Sequence, residues 1–447
     1  EDLVGKPAER FPLLGALQTM GALRPIATPL HLPGFHQETV NAYSSFLGSL
    51  GFAPIAGSAN ARIDEAIDAT LEPGSTVTVG IVRGDMNASA SGTVTHVDGN
   101  RIYAFGHPFL SIGYTDMPMH KGAVLGVVPS LSSSQKLSGS GPFVGSIRQD
   151  RATGIMGIRD EKPKMIPVKL HLRTSRNESK QYEFEIVNDD FLAPFLLTFT
   201  IHNSIIASER AIGGQTLQVR CRISLQDHPD VNFQNNVADL ASSPALAAVT
   251  AAAPVNFILN SGFENIVVES VDLEIVATER INEASLDKIW LNKLKARPGE
   301  ELELTVFLRR ANGEVASETY PVKIPEAVQP GPLKISVGDG LTLTRADSEL
   351  NDGGEFIPRD LRQLVKAINN LKKNDRLYIR LFREEKGAVI GGEGMPHLPP
   401  SLLALYGSNR TSGDVRPINR SVYVEHELPA TDGVLAGHQV IEVEIER

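Results

Sequence analysis

Between Ser75 and Leu225, apolar and polar residues alternate in one short run after another, and this period of two constrains the chain more than any other feature. Val77, Val79 and Ile81 alternate with Thr78 and Gly80, which places the apolar side chains on one face of a strand and the small or polar ones on the other. Gly92-Thr-Val-Thr-His-Val then leads into Asp98-Gly99-Asn100. Asp-Gly accepts positive φ at little cost, so a β-hairpin is expected there. The alternation continues through Met165–Leu172, Tyr182–Val187, Leu196–Ile201 and Leu217–Ile223. No helix-length pattern is read between Ser75 and Leu225, so a closed or sandwiched β architecture is expected rather than a parallel α/β sheet.

The flanks carry different signals. Residues 1–72 form a lead-in of Pro, Gly and short apolar runs, with the spacing of one helix from Glu38 to Gly51. The chain turns Ala-rich and helix-compatible between Asn232 and Ser261, and alternation resumes at Val271-Asp-Leu-Glu-Ile. Leu302, Leu304, Val306 and Leu308 share a face after the turn at Pro298-Gly299, and Gly313 marks the next reversal, an immunoglobulin-like sandwich pattern. A Pro- and Gly-rich boundary at Pro325–Pro332 precedes alternating Leu333, Ile335 and Val337. One amphipathic helix follows, with Leu361, Leu364, Val365, Ile368 and Leu371 on a stripe, then strands at Leu377–Leu381 and Val440–Ile445. At 447 residues the chain exceeds the roughly 250–300 that one core organises. The expected division is a lead-in (1–72), a β domain (73–225), a β-sandwich with an Ala-rich helical lead-in (226–328) and a C-terminal β-rich α+β domain (329–447). No solenoid repeat is present.

Composition excludes several classes. With 41% hydrophobic and 21% charged residues the chain has the apolar content for real cores. The formal charge of -10 is spread without a long acidic or basic run, so nucleic acid is not an expected partner. The longest apolar stretch, Ala245–Leu259, is interrupted by Pro254 and Asn256 and falls short of the roughly 20 residues a membrane span needs. Cys221 is the single cysteine, so an internal disulfide and a cysteine metal site are both excluded. It reads as a small buried residue on a strand. One cysteine suits an exported bacterial protein, and a start at Glu1 leaves a removed leader open. Gly353-Gly354 and Gly391-Gly-Glu-Gly read as turns, because neither precedes the Lys-Ser/Thr of a phosphate loop. Met395-Pro-His-Leu-Pro-Pro-Ser-Leu-Leu reads as an interaction edge or a packing loop. No cofactor is expected.

The chemistry-bearing candidate is His107, set between Gly106 and Pro108 at the end of the apolar strand from Ile102. A ring held by a rigid turn and projecting freely suits a general base. A structural corner, with the imidazole capping nearby backbone, is the other reading. Leu137-Ser-Gly-Ser-Gly offers Ser138 or Ser140 as a glycine-flanked hydroxyl, and Asp116 lies between them and His107 in the chain. The same run after Ser130-Leu-Ser-Ser-Ser also reads as a solvated loop. His96, His107 and His120 fall within 25 residues, near Asp98 and Asp116, without the spacing of a zinc motif.

Three ordered blocks carry a resemblance. Gly92-Thr-Val-Thr, Ala104-Phe-Gly-His-Pro-Phe and Val144-Gly-Ser-Ile-Arg-Gln-Asp-Arg-Ala-Thr-Gly-Ile-Met-Gly, followed by Tyr182-Glu-Phe-Glu-Ile-Val, resemble the SpoIVB sporulation peptidase family. The resemblance covers about Pro73 to Ile201. It implies a two-barrel, chymotrypsin-like serine peptidase domain with His107 as general base. The family's serine lies in a G-M-S-G-S-P motif further on. The corresponding region here reads His202-Asn-Ser-Ile-Ile-Ala-Ser-Glu-Arg-Ala-Ile-Gly-Gly, without that motif, so only Ser204 and Ser208 stand near its place. The resemblance therefore implies an exported, SpoIVB-peptidase-like protein with a degenerate catalytic site and a binding or scaffolding role, its partner a protein or peptide. An active endopeptidase with an unaligned serine is the first rival. A structural or surface-assembly protein of β modules, homo-oligomeric or in the envelope, is the second.

Overall fold

The computed structural model describes residues 27–57, 68–129, 135–209, 213–350, 358–385, 387–390, 393–395, 401–402, 415–418 and 420–447. Residues 1–26 of the lead-in, both Gly-Gly turns and most of the proline-rich run after Met395 lie outside them. Among the described residues strands account for 52% and helices for 18%, so the fold is mainly β. By contacts it forms two compact units. One is Glu1–Ile212, Val219–Asn232 and Pro244–Ala277; the other is Gly213–Gln218, Phe233–Ser243 and Thr278–Arg447.

The strands of the large sheet are β1 Thr28–Pro33, β2 Phe52–Gly57, β3 Thr76–Gly84, β4 Ala88–Asp98, β5 Arg101–Ala104, β6 Gly113–Val128, β7 Gln135–Arg151, β8 Gly154–Arg159, β9 Met165–Arg173, β10 Ser179–Val187, β11 Gln215–Leu225, β12 Val231–Asp239 and β13 Val268–Thr278. Their order is β12-β11-β13-β9-β10-β3-β6-β7-β8-β5-β4-β1-β2, with β3 also paired to β4. That extra pairing closes a ring. β3, β6, β7, β8, β5 and β4 each pair antiparallel with the next, and β4 returns to β3. Val77, Val79, Val94, Ile102, Met119, Ile147 and Ile155 of these strands are buried, as a closed sheet requires of its inner face. The turn between β4 and β5 is the expected one, with Gly99 at φ 59°.

Helix α1, Gln37–Ser49, falls where the spacing predicts it. The expected strand at Leu196–Ile201 is instead part of helix α2, Leu192–Ile206. Alternation misleads there because the helix is buried on nearly every side, so no polar face marks its 3.6-residue period. Its β-branched and hydroxyl residues are satisfied within it: Thr198, Thr200 and Ser204 donate to the carbonyls of Pro194, Leu196 and Thr200. Asp189 Oδ1 accepts from the Phe191 and Leu192 N–H groups at the start. Phe199 stacks on Phe35, and Asn203 Oδ1 accepts the His36 N–H at 2.7 Å. The Ala-rich segment is a strand first, β12, and then helix α3, Ser243–Leu259. Cys221 is buried in β11, and burial pushes its thiol up to about 12.

The second unit holds β14 Glu283–Leu291, β15 Lys295–Ala296, β16 Glu301–Arg310, β17 Val315–Lys323, β18 Gly331–Asp339, helices α4 Gly340–Leu350 and α5 Leu361–Asn369, then β19 Leu377–Arg383, β20 Gly387–Ile390, β21 Glu393–Met395, β22 Val415–Ile418, β23 Ser421–Glu427, β24 Val434–Ala436 and β25 His438–Ile445. The larger sheets run β17-β16-β14-β24 and β15-β25-β18-β19-β23. Leu302, Leu304 and Val306 of the first share one core with Ile335, Val337, Ile379 and Val443 of the second. Pro325–Pro332 joins β17 to β18. Leu361, Val365 and Ile368 of α5 are buried, whereas Leu371 lies beyond its end and is exposed.

Candidate functional site

The three resembling blocks meet at one end of the closed ring. β4 pairs with β5 through Val94 and Ala104, and β5 pairs with β8 through Ala104 and Ile155. The chain then leaves β5 in a strained turn: Phe105 has φ 77° and Gly106 φ 76°. Positive φ is rare for a residue as bulky as Phe. Gly92 allows it, because a Cβ there would run into the Phe105 ring, with Cγ at 2.8 Å. The Phe105 N–H donates to the Thr93 carbonyl, which fixes the turn from the backbone side.

Asp150 of β7 holds the other end of the loop. Its Oδ1 accepts the Phe109 N–H at 2.8 Å, and Oδ2 accepts those of Leu110 at 2.6 Å and Ile112 at 3.5 Å. The residue is 1% exposed, and this burial raises its carboxyl above the ordinary range against the opposing pull of the N–H groups. Gly154 completes the cradle: its φ is 147°, and a Cβ there would lie 2.8 Å from the Ala104 carbonyl oxygen. Gly157 faces Met119, whose Sδ would sit 2.5 Å from a Cβ. The block residues thus shape and anchor the Phe105–Ile112 loop.

His107 rides on that loop with its side chain exposed. Its Nδ1 lies 2.8 Å from the carbonyl oxygen of the adjacent Pro108, and its ring packs 5.5 Å from that of Phe105. No serine hydroxyl or carboxylate bonds to it among the described residues. Asp116 belongs to a different network. Its Oδ1 accepts from Ser146 Oγ at 2.6 Å and pairs with Arg148 at 2.8 Å, and Oδ2 accepts the Lys164 N–H at 2.8 Å. Ser138 and Ser140 lie on β7, paired with Val124 and Gly122 of β6. Ser138 is buried with its Oγ unbonded, while Ser140 is exposed with its Oγ 3.5 Å from that of Ser89.

Family models, curated proteins and solved structures yield no match to this chain. Ser204 Oγ donates within α2, and Ser208 Oγ bonds the Tyr182 hydroxyl at 2.7 Å, both buried. His96, His107 and His120 pack against three different aromatic rings, those of Tyr103, Phe105 and Phe143. Among the described residues no group of three or more His, Cys, Asp or Glu side chains is placed to hold a metal. Burial lowers the His120 pKa and keeps its ring neutral, and its Nδ1 lies 3.1 Å from the Gly141 carbonyl oxygen, which can only accept. Asp150 is the residue that sequence reasoning passed over. Its place in the third block is the available signal, since an aspartate between Gln149 and Arg151 otherwise reads as solvated.

Proposed function

We propose that residues 73–225 are a SpoIVB-type peptidase domain whose His107 centre is degenerate, and that the chain acts by binding protein or peptide within an exported assembly. The observation that carries this reading is the setting of His107. Its imidazole is exposed and turned to its own neighbour's carbonyl, while Asp116 is engaged by Ser146, Arg148 and Lys164. A general base needs the nucleophile's proton within about 3.2 Å, directly or through one water.

The peptidase ancestry is supported by the closed antiparallel ring, the architecture that the resemblance implies for one of two chymotrypsin-like barrels. It is supported again by the way Gly92, Asp150 and Gly154 serve one loop. A fold can keep such residues after the chemistry has gone. The two-sheet core of the second unit supports an immunoglobulin-like sandwich there. Incubation of the purified chain with an unfolded protein substrate tests the reading. Cleavage no faster than in buffer, and unchanged by His107→Ala, is expected; cleavage abolished by His107→Ala would instead establish the active endopeptidase.

A further inference from the structure

We infer that the solvent face of α5, with Arg362, Lys366 and then Lys373, is a docking surface for an acidic, extended segment of a partner protein. Residues 359–373 hold five Lys and Arg against the single Asp360, a net of +4 within a chain of -10. Helical spacing gathers part of this charge on one side. Arg362 and Lys366 stand one turn apart at i and i+4, and Asn369 continues their stripe. All three are exposed, while Leu361, Val365 and Ile368 of the same helix are buried.

The carboxylates beside this face are engaged. Asp360 Oδ1 accepts the Gln363 N–H at 2.8 Å and caps the helix. Glu425 is held by Lys372 and by Arg380, the latter at 2.7 Å. Among the described residues no ion pair reaches Arg362, Lys366 or Lys373. Three cations thus face solvent without a counter-charge.

Charge complementarity calls for an anion, and spacing selects which. An anionic membrane is a poor fit, because attraction to its surface takes clusters of roughly four to eight Lys and Arg, and firmer binding takes an apolar helix face that enters the lipid. The apolar face of α5 is buried. A nucleic acid is also a poor fit, since its phosphates recur every ~1.7 Å of duplex axis and set a dense negative charge against a chain of -10. An acidic polypeptide presents its carboxylates sparsely. Alternate side chains of an extended segment stand about 6.8 Å apart, close to the helix rise of about 6 Å from Arg362 to Lys366. The Arg362 guanidinium matches a carboxylate through two parallel N–H bonds, and the Asn369 amide offers the segment's backbone a donor and an acceptor. Leu371, 46% exposed, adds an apolar contact just past the helix. The inference rests on α5 alone and stands whatever the role of His107.

A fluorescein-labelled peptide of alternating Glu and Ser, titrated with the intact chain at low ionic strength and followed by anisotropy, tests it. Saturable binding is expected, and added salt should weaken it because the charges are exposed. Arg362→Glu combined with Lys366→Glu is expected to weaken binding at least about 10-fold, whereas Lys323→Glu, at an exposed cation of β17, should leave it unchanged. Arg362→Gln with Lys366→Gln removes the charge without adding repulsion and should weaken binding by a smaller factor. Urea melts should show the fold retained in each, since both side chains are exposed and Glu and Gln are good helix formers. Four results would overturn the inference: no saturable binding at low salt, binding indifferent to the reversal, a phosphatidylglycerol vesicle or an oligonucleotide that takes the α5 face more tightly than the peptide, or a wild-type dimer that the reversal turns to monomer.

Discussion

Gly92 and Phe105 are locked together: the ring of Phe105, on a backbone with φ 77°, occupies the space where any side chain at 92 would begin. Gly92→Ala must therefore expel the ring or shift β4, and overpacking of this kind costs about 1–3 kcal/mol. Gly99→Ala meets no atom within 4 Å and strains only its φ of 59°, so its cost is expected to be smaller. Urea melts of the two variants check the order.

Asp150 is the loop's anchor, and Asp150→Asn is expected to destabilise the first unit by about 1–3 kcal/mol. The amide offers one acceptor where the carboxylate offers two, and a buried N–H is left unmatched. The pH dependence has a defined sign. Burial raises the folded-state value above the ordinary 3.8, so folding gains a proton as pH falls through the raised value. This group's contribution thus shifts toward the folded state between that value and 3.8, and is flat above it. Stability measured against pH should contain that component in the wild type and lack it in Asp150→Asn.

Burial lowers the titration of His120 and His202 below the ordinary 6.5. The unfolded chain then binds protons more readily than the folded one between 6.5 and the lowered values, so stability falls with falling pH across that window. Below it the contribution is constant. Ring-proton NMR should place both histidines below 6.5, and a value above 6.5 for either would contradict their burial as described.

At the corner itself, Gly106→Ala is expected to cost about 1 kcal/mol from its φ of 76° alone, since nothing lies within 4 Å of the new methyl. His107→Ala is expected to stay within about 0.5 kcal/mol, because the ring is exposed and bonds only its neighbour's carbonyl. If the histidine change is the more damaging in denaturant melts, the imidazole is a structural group.

The sequence pattern made β3 legible because Val77, Val79 and Ile81 share one face and the small Thr78 and Gly80 mark the other, even though both faces are buried. The same pattern failed at Leu196–Ile201, where Thr198 and Thr200 mimic a polar strand face while their hydroxyls bond carbonyls inside the helix. The Asp98-Gly99 turn and the α1 spacing were readable because each depends on neighbours in the chain. The Asp150 anchor was not, since it reaches across 40 residues to Leu110. Nor could chain order reveal that Asp116 faces Ser146 and Arg148 rather than His107.

The central claim, that His107 serves no serine, is tested most directly by intact mass after treatment with a fluorophosphonate probe. The wild-type chain is expected to stay at its unmodified mass under conditions that label an active serine hydrolase completely. A stoichiometric adduct on any serine that disappears in His107→Ala would contradict the account.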